Sequence, residues 1–349
     1  MDQQPLFLRA CAGEPTERTP TWLMRQAGRY MAEYRAIRAE VDFWTLCKTP
    51  DLCCEVTLQP IDAFNLDAAI IFSDLLVSLP PIGYNVQFLP GRGPVVDEPI
   101  NTVADLDRLR HFDVADELGY VGEAVRVTAQ ALPKDIPLIG FAGAPFTLAS
   151  YLLEGGSSKQ FMKTKAFLHQ EPKAAERLFE ALSQATIDLL KLQMDNGARA
   201  VQIFDSWAGC LDPEDYARWG RDYTRRIVEE IRRPGIPVIV FPKGTGNYIE
   251  LVAETGADVV GVDWTLPMAN ARSRVGANVA LQGNLDPGRL LGPTDRLEEA
   301  VDRILDGMGD GTGHIFNLGH GIYQYTPVEN VRHLVDYVRT ASAARRQGT

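Results

Sequence analysis

Four arginines, Arg25, Arg29, Arg35 and Arg38, fall within fourteen residues, in the segment Trp22-Leu-Met-Arg-Gln-Ala-Gly-Arg-Tyr30 and its continuation, with only Glu33 among them to balance the charge. A guanidinium is planar, permanently charged and shaped for bidentate pairing with carboxylate or phosphate. Such a cluster is either a solvated basic patch or the binding site of a ligand with several acidic groups. A helix would put Arg25 and Arg29 on one face, but Gly28 weakens helical order and the 3.6-residue period turns Arg38 away from Arg25. The segment therefore reads as a loop or short turn able to wrap a ligand.

A carboxylate and an imidazole offer acid–base chemistry elsewhere. Asp74 follows the run Ala68-Ala-Ile-Ile-Phe-Ser73, where it serves either as a desolvated functional group or as the N-cap of what comes next. His320 lies between Gly319 and Gly321, which let a ligand approach the backbone closely, and reads equally as a site residue or a hydrogen-bonded structural one. His111, His169 and His333 sit in polar stretches and read as surface residues, while His314 opens an apolar run at its far end. Gly244-Thr-Gly246 and Gly307-Met-Gly-Asp-Gly-Thr-Gly313 read as turns, since neither has the strand–GxGxxG–helix order. There is no GxxxxGK[ST] loop, no G-x-S-x-G elbow and no paired-histidine helix.

The elements that position these groups are short apolar runs with polar or glycine-bearing ends: 68–72, 137–143, 200–205, 237–241, 259–263, 279–283 and 314–318. They read as buried parallel strands. Helical patterns at 174–196, 213–232, 248–255 and 296–308 separate several of them. Repeated βα units of this size imply a (β/α)₈ barrel, with a doubly wound open sheet as the alternative. The eighth strand is unassigned, and the interval 72–137 leaves room for an insertion, with turns at Pro80-Pro81, Pro90-Gly91 and Gly93-Pro94. Barrel active sites lie at the C-terminal strand ends, so Ser73-Asp74, Ala142 to Thr147, Asp205-Ser206, Asn284 to Asp286 and Gly319 to Gly321 are all expected at one mouth.

Composition bounds the reading. The 349 residues carry a formal net charge of -11 from 46 acidic and 35 basic residues, with 45% hydrophobic content. An acidic chain lacks the basic footprint of a general nucleic-acid binder, and its local cationic segment must sit in a cleft that focuses its field. No apolar run approaches the ~20 residues of a spanning helix. Met1-Asp2-Gln3-Gln4 lacks the pattern of a secretory or transit segment, so a cytoplasmic location is expected. Five scattered cysteines, an odd number, read as reduced thiols and not as a disulfide framework or a zinc site.

Six ordered motifs resemble the uroporphyrinogen decarboxylase family from end to end: Thr21-Trp-Leu-Met-Arg-Gln-Ala-Gly-Arg29, Ile71-Phe-Ser-Asp74, Ile139-Gly-Phe-Ala-Gly-Ala-Pro-Phe-Thr147, Phe204-Asp-Ser206, Gln282-Gly-Asn-Leu-Asp286 and Asn317-Leu-Gly-His-Gly321. Thr21, where members often carry Val, and Gln324, where some carry Pro, depart from the pattern at positions without a known role. The resemblance implies a single-domain TIM barrel over 1–349 with an N-terminal extension. It also implies a homodimeric lyase of heme biosynthesis that turns the four acetates of uroporphyrinogen III into methyl groups, giving coproporphyrinogen III, with no cofactor and no metal.

By the same resemblance, Arg25, Arg29 and Arg38 bind the carboxylate arms, Gln26 assists substrate binding from the same segment, and Asp74 reaches the macrocycle's centre. Tyr151, Ser206 and His320 make further polar contacts, and Ile70, Phe141 and Phe204 supply apolar walls. Asp74 stabilises the cationic pyrrole, while Arg25, Arg29, Tyr151 and His320 compete as proton donor. A zinc-dependent methyltransferase of the same superfamily is the rival reading. It needs His and Cys at strand ends, and Val238-Ile-Val-Phe-Pro-Lys243 offers neither. A non-catalytic anion carrier is the other alternative.

Overall fold

The computed structural model describes residues 4–89 and 93–347. The expected turn at Pro90-Gly91 and the first three residues of the chain lie outside them. Seven parallel strands form one curled sheet: β1 (Ala69–Ile70), β4 (Leu138–Gly143), β5 (Ala200–Asp205), β6 (Val238–Pro242), β7 (Val259–Gly261), β8 (Ala280–Gln282) and β9 (His314–Ile315). Between β1 and β4, a small antiparallel hairpin of β2 (Val86–Leu89) and β3 (Gly93–Val96) fills part of the interval left for an insertion. The sheet order β1-β4-β5-β6-β7-β8-β9 follows the chain without reversal. A doubly wound sheet reverses order at its switch point, so that alternative is excluded.

Side-chain alternation splits the apolar residues into two cores. Ile139, Ala200, Ile239, Val259, Ala280 and Ile315 point to the concave face, where Phe7, Leu8, Trp22 and Met24 from the N-terminal region join them. Their neighbours Leu138, Val201, Val238, Val240, Val260 and Leu281 point outward and pack under the helices. Strands buried on both faces need continuous apolar runs, which is why each was visible as one. A polar layer crosses the concave side: Trp22 Nε1 donates to Gln282 Oε1 at 2.9 Å, and Gln282 Nε2 to Gln202 Oε1 at 3.0 Å.

The N-terminal segment lies between the two ends of the sheet. Phe316 N–H donates to Pro20 O at 2.8 Å, and Trp22 N–H to Phe316 O at 3.3 Å, giving a parallel bridge between Thr21 and Phe316. On the other side Asp67 N–H donates to Thr21 O at 2.8 Å, and the Asp67 carboxylate accepts the Thr21 N–H at 2.8 Å. Arg18 grips the same carboxylate bidentately at 2.6 and 2.7 Å. These bonds fasten the start of the arginine-bearing segment to Asp67, two residues before β1, and to Phe316, the residue after β9.

Candidate active site

The segment from Met24 to Met31 is a series of turns, and Arg25 takes the left-handed conformation, with φ of 61°. A helix then runs over Ala32–Glu40 and carries Arg35 and Arg38. The expected loop thus holds for Arg25 and Arg29 but not for the second pair. The loop is held from within. Gln26 is buried, its Oε1 accepts the Leu23 N–H, and its Nε2 donates to Ala68 O. Gln26 also lines the deep cleft at the C-terminal strand ends, so its amide holds the loop from the wall of that cleft. Arg35 Nη1 donates to the carbonyls of Arg29 and Tyr30, each at 2.9 Å, which fixes the end of the loop.

At the C-terminal ends of the strands lies a cleft lined by Arg25, Ile70, Phe72, Asp74, Phe141, Phe204, Ser206, Phe241 and His320 among others. Alternation explains the membership. Ala68, Ile70, Phe72 and Asp74 continue one inward-facing row, as do Ala200, Gln202, Phe204 and Ser206. Asp205 therefore points away from the mouth, against the expectation that it faces the site. Its Oδ1 accepts the Thr147 hydroxyl at 2.6 Å, while Oδ2 is buried without a partner, and burial raises its pKa to about 7. Asn284 and Asp286 are likewise engaged in structure: Asn284 Nδ2 donates to the carbonyls of Asp263 and Leu266, and Asp286 Oδ1 accepts the Gly288 N–H.

A second cleft is lined by Arg29, Tyr34, Arg35, Arg38, Ala39, Gln324 and Tyr325. Tyr34 and Phe72 are in ring contact at 5.6 Å, so the two clefts share a wall. Among the described residues, none of the four arginines is ion-paired with a carboxylate, whereas Arg18, Arg108, Arg274 and Arg345 are. The deep cleft holds Arg25, and the outer one holds the other three.

The Asp74 Oδ1 accepts the Leu76 N–H at 2.9 Å, so both readings of this residue apply: it caps the following turn and also lines the cleft. Burial raises its pKa from 3.8 to about 6 against the opposing pull of the Leu76 N–H and Arg25. Burial likewise lowers His320 to about 4, with Arg25 and Lys243 pushing the same way. His320 is therefore a neutral imidazole at neutral pH. Its Nδ1 accepts the Gly321 N–H at 2.7 Å, which leaves Nε2–H as its donor. Gly321 itself lies under the Arg25 side chain, where a Cβ would come within 2.3 Å of Arg25 Cδ.

Tyr151 is half-buried on the helix Pro145–Glu154, its ring 6.0 Å from that of Trp207. Burial raises its hydroxyl to about 12, with Asp74 adding to the rise and Arg25 opposing it. His314 is buried, its Nε2 at 3.1 Å from Gly283 O. Among the described residues, no three His, Cys, Asp or Glu side chains are grouped to hold a metal ion, and no helix is long and apolar enough to cross a membrane. The four cysteines at 11, 47, 53 and 54 are buried, and Cys210 is half-buried.

Comparison with known proteins gives concordant results. The family model described as uroporphyrinogen decarboxylase (URO-D) matches residues 2–341. A uroporphyrinogen decarboxylase of Myxococcus xanthus (strain DK1622) is 48% identical over 343 residues, covering 98% of each chain. One from Chloroherpeton thalassium (strain ATCC 35110 / GB-78) is 47% identical over 352 residues, covering 99% of this chain and 100% of the relative. Among solved structures, a methyltransferase from Methanosarcina mazei superimposes with a TM-score of 0.79 at 18% identity, covering 97% of this chain and 99% of the other, a likeness of fold alone.

Proposed function

The chain belongs to the uroporphyrinogen decarboxylase family, and from that premise we propose how its clefts carry out the family's reaction. The enzyme removes carbon dioxide from the acetate side chains of uroporphyrinogen, leaving methyl groups and giving coproporphyrinogen in heme biosynthesis. The substrate is a polycarboxylate, and the arginines without carboxylate partners suit it. Arg25 takes an arm in the deep cleft, and Arg29 and Arg38 take arms in the outer one. Ile70, Phe141 and Phe204 face the pyrrole rings, Ser206 and Tyr151 meet further arms, and His320 offers Nε2–H to another. Gln26, on the wall of the deep cleft, assists Arg25 in substrate binding while holding the loop.

The observation that carries the proposal is Asp74, a lone carboxylate on an apolar-walled cleft beside Arg25. Breaking the bond between the acetate methylene and its carboxylate leaves an electron pair that needs a sink. A pyrrole protonated on carbon is cationic and accepts that pair as carbon dioxide leaves; protonation of the resulting exocyclic methylene and loss of the proton first added to the ring carbon give the methyl group and restore the pyrrole. The pyrrole N–H groups donate to Asp74, whose negative charge in a low-dielectric cleft favours the cationic ring. Four N–H groups converging on one carboxylate also let the macrocycle turn between rounds. A neutral His320 acts as a hydrogen-bond donor, and the role of proton donor falls among Arg25, Arg29 and Tyr151.

The fold proposal is a (β/α)₈ TIM barrel with an N-terminal extension, the whole of 1–349 forming one domain. The bonds of Pro20–Trp22 to Phe316 and Asp67 support that segment as the eighth stave. A homodimer, carried over from the family resemblance, and the cytoplasmic location expected from the sequence complete the reading. The test is anaerobic incubation with uroporphyrinogen III, followed by chromatography of the oxidised porphyrins, for wild type and Asp74→Ala. Four-carboxyl porphyrin from wild type only supports the mechanism. Binding without carboxyl loss in wild type, or turnover by the variant, overturns it.

A further inference from the structure

Lys243 belongs to none of the motifs that carry the family resemblance, yet it is placed as a ligand-binding group. On β6, Ile239 and Phe241 point to the concave face, and Lys243 follows in the same alternation just beyond the strand's C-terminal end. Its backbone is fixed on one side by two bonds: its N–H donates to Asp205 O at 3.0 Å, and its carbonyl accepts the Gly209 N–H at 2.8 Å. The half-buried ammonium lies 5.9 Å from the ring of Trp207, beyond β5, and 5.9 Å from that of Trp264, beyond β7. Trp207 follows Ser206, a residue of the cleft wall, and Trp264 is in ring contact with His320 at 6.4 Å.

Both aromatic contacts are at the outer limit of cation–π attraction, so they flank the ammonium without satisfying its three donors. The carboxylate of Asp263, just beyond β7, is engaged with its own backbone and neighbours. Asp263 Oδ1 accepts both the amide and the hydroxyl of Thr265, and Oδ2 accepts the Gly244 N–H. Among the described residues the Lys243 ammonium has neither an ion pair nor a hydrogen bond. A half-buried cation flanked by two indoles beside the cleft is a site for an anion.

We propose that Lys243 is a substrate-binding residue that takes a carboxylate arm of the tetrapyrrole beside His320, complementing Arg25. This rests on the reading of the cleft as a uroporphyrinogen site. Trp207 and Trp264 exclude water from the pair and keep the ammonium aimed at the cleft. A charge-assisted hydrogen bond of this kind corresponds to a loss on the order of tenfold to a hundredfold in affinity when the charge is removed.

The experiment compares wild type, Lys243→Met and Lys243→Arg. Equilibrium binding of uroporphyrin is followed by quenching of tryptophan fluorescence, alongside anaerobic kinetics with uroporphyrinogen. Lys243→Met is expected to weaken porphyrin binding and raise KM by roughly tenfold or more with kcat little changed, while Lys243→Arg restores most of the loss. The His320 imidazole, followed by NMR without ligand, should titrate at higher pH in Lys243→Met. That shift also shows the variant is folded with its neighbours in place. Porphyrin binding within twofold of wild type, with the His320 shift present, overturns the proposal and leaves Lys243 as a structural cation. If wild type binds porphyrin but yields no coproporphyrinogen, the decarboxylase mechanism fails, and the binding comparison still decides the role of Lys243.

Discussion

Replacing Asp74 by asparagine should stabilise the fold at neutral pH while abolishing turnover. The Asn side-chain oxygen can still accept the Leu76 N–H, so the change removes the charge and keeps the cap. Burial moves the Asp74 pKa from 3.8 to about 6. That difference, at ~1.4 kcal/mol per pKa unit, sets an upper bound of about 3 kcal/mol for the folded-state cost of the ionised group. Access to water in the cleft brings the expected gain to roughly 1–3 kcal/mol. Between pH 3.8 and about 6 the native state holds this proton more tightly than the unfolded chain. Wild type therefore loses stability as pH rises through that window, and the variant does not. The gap should be full above pH ~7 and shrink below about 1 kcal/mol by pH ~4. Guanidinium unfolding of both proteins across this range, with turnover measured in parallel, tests the argument. A variant no more stable than wild type at pH ~7.5, or a gap independent of pH, would refute the claim that Asp74 is an electrostatically costly group retained for chemistry.

Three other outcomes follow from the same geometry. The kcat/KM profile should have an acid limb near the Asp74 value of about 6, activity falling as pH drops and the carboxylate protonates; a flat profile from pH ~5 to 8 would remove Asp74 as the required anion. Gly321→Ala places a methyl against the Arg25 side chain and should lower kcat/KM at least roughly tenfold with little change in melting temperature, so unchanged kinetics would place Arg25 outside the reacting complex. Arg18→Met leaves the buried Asp67 carboxylate without its bidentate partner and should destabilise the protein by about 3 kcal/mol in denaturant unfolding, and a loss near zero would show that the pair does not anchor the N-terminal segment.

Seven strands were legible because each is a continuous apolar run, the pattern that burial on both faces of a parallel sheet imposes. The segment between the sheet's ends was not. Pro20 cannot donate to a ladder, the bridge involves Thr21 alone, and the apolar residues beyond it belong to the arginine motif. Site membership was legible by strand end but not by face. Asp205 and Ser206 are adjacent in sequence, and only the alternation seen in three dimensions sends one to Thr147 and the other to the cleft. Gln26 shows the same limit, since the sequence signature of a polar residue in a ligand-binding motif does not reveal the backbone bonds it also makes. Lys243 could have been found by asking which inward-facing strand-end residues carry charge, since Ile239, Phe241 and Lys243 share one parity.

The fastening of Pro20–Trp22 to Phe316 also sets an order of events during synthesis. The stretch bearing Arg25 and Arg29 leaves the ribosome early, but its partner strand leaves almost three hundred residues later. Contacts this distant in sequence form slowly, and until they form the N-terminal stretch is held on one side only, by its bonds to Asp67 and Ala68. A chain ending before His314 would contain Arg25, Arg38, Asp74, Tyr151 and Ser206 and still lack His320 and Gly321, which line the cleft beside Arg25. The cleft thus gains its last wall only when the final strand is made, so a partial translation product offers the macrocycle an unfinished site.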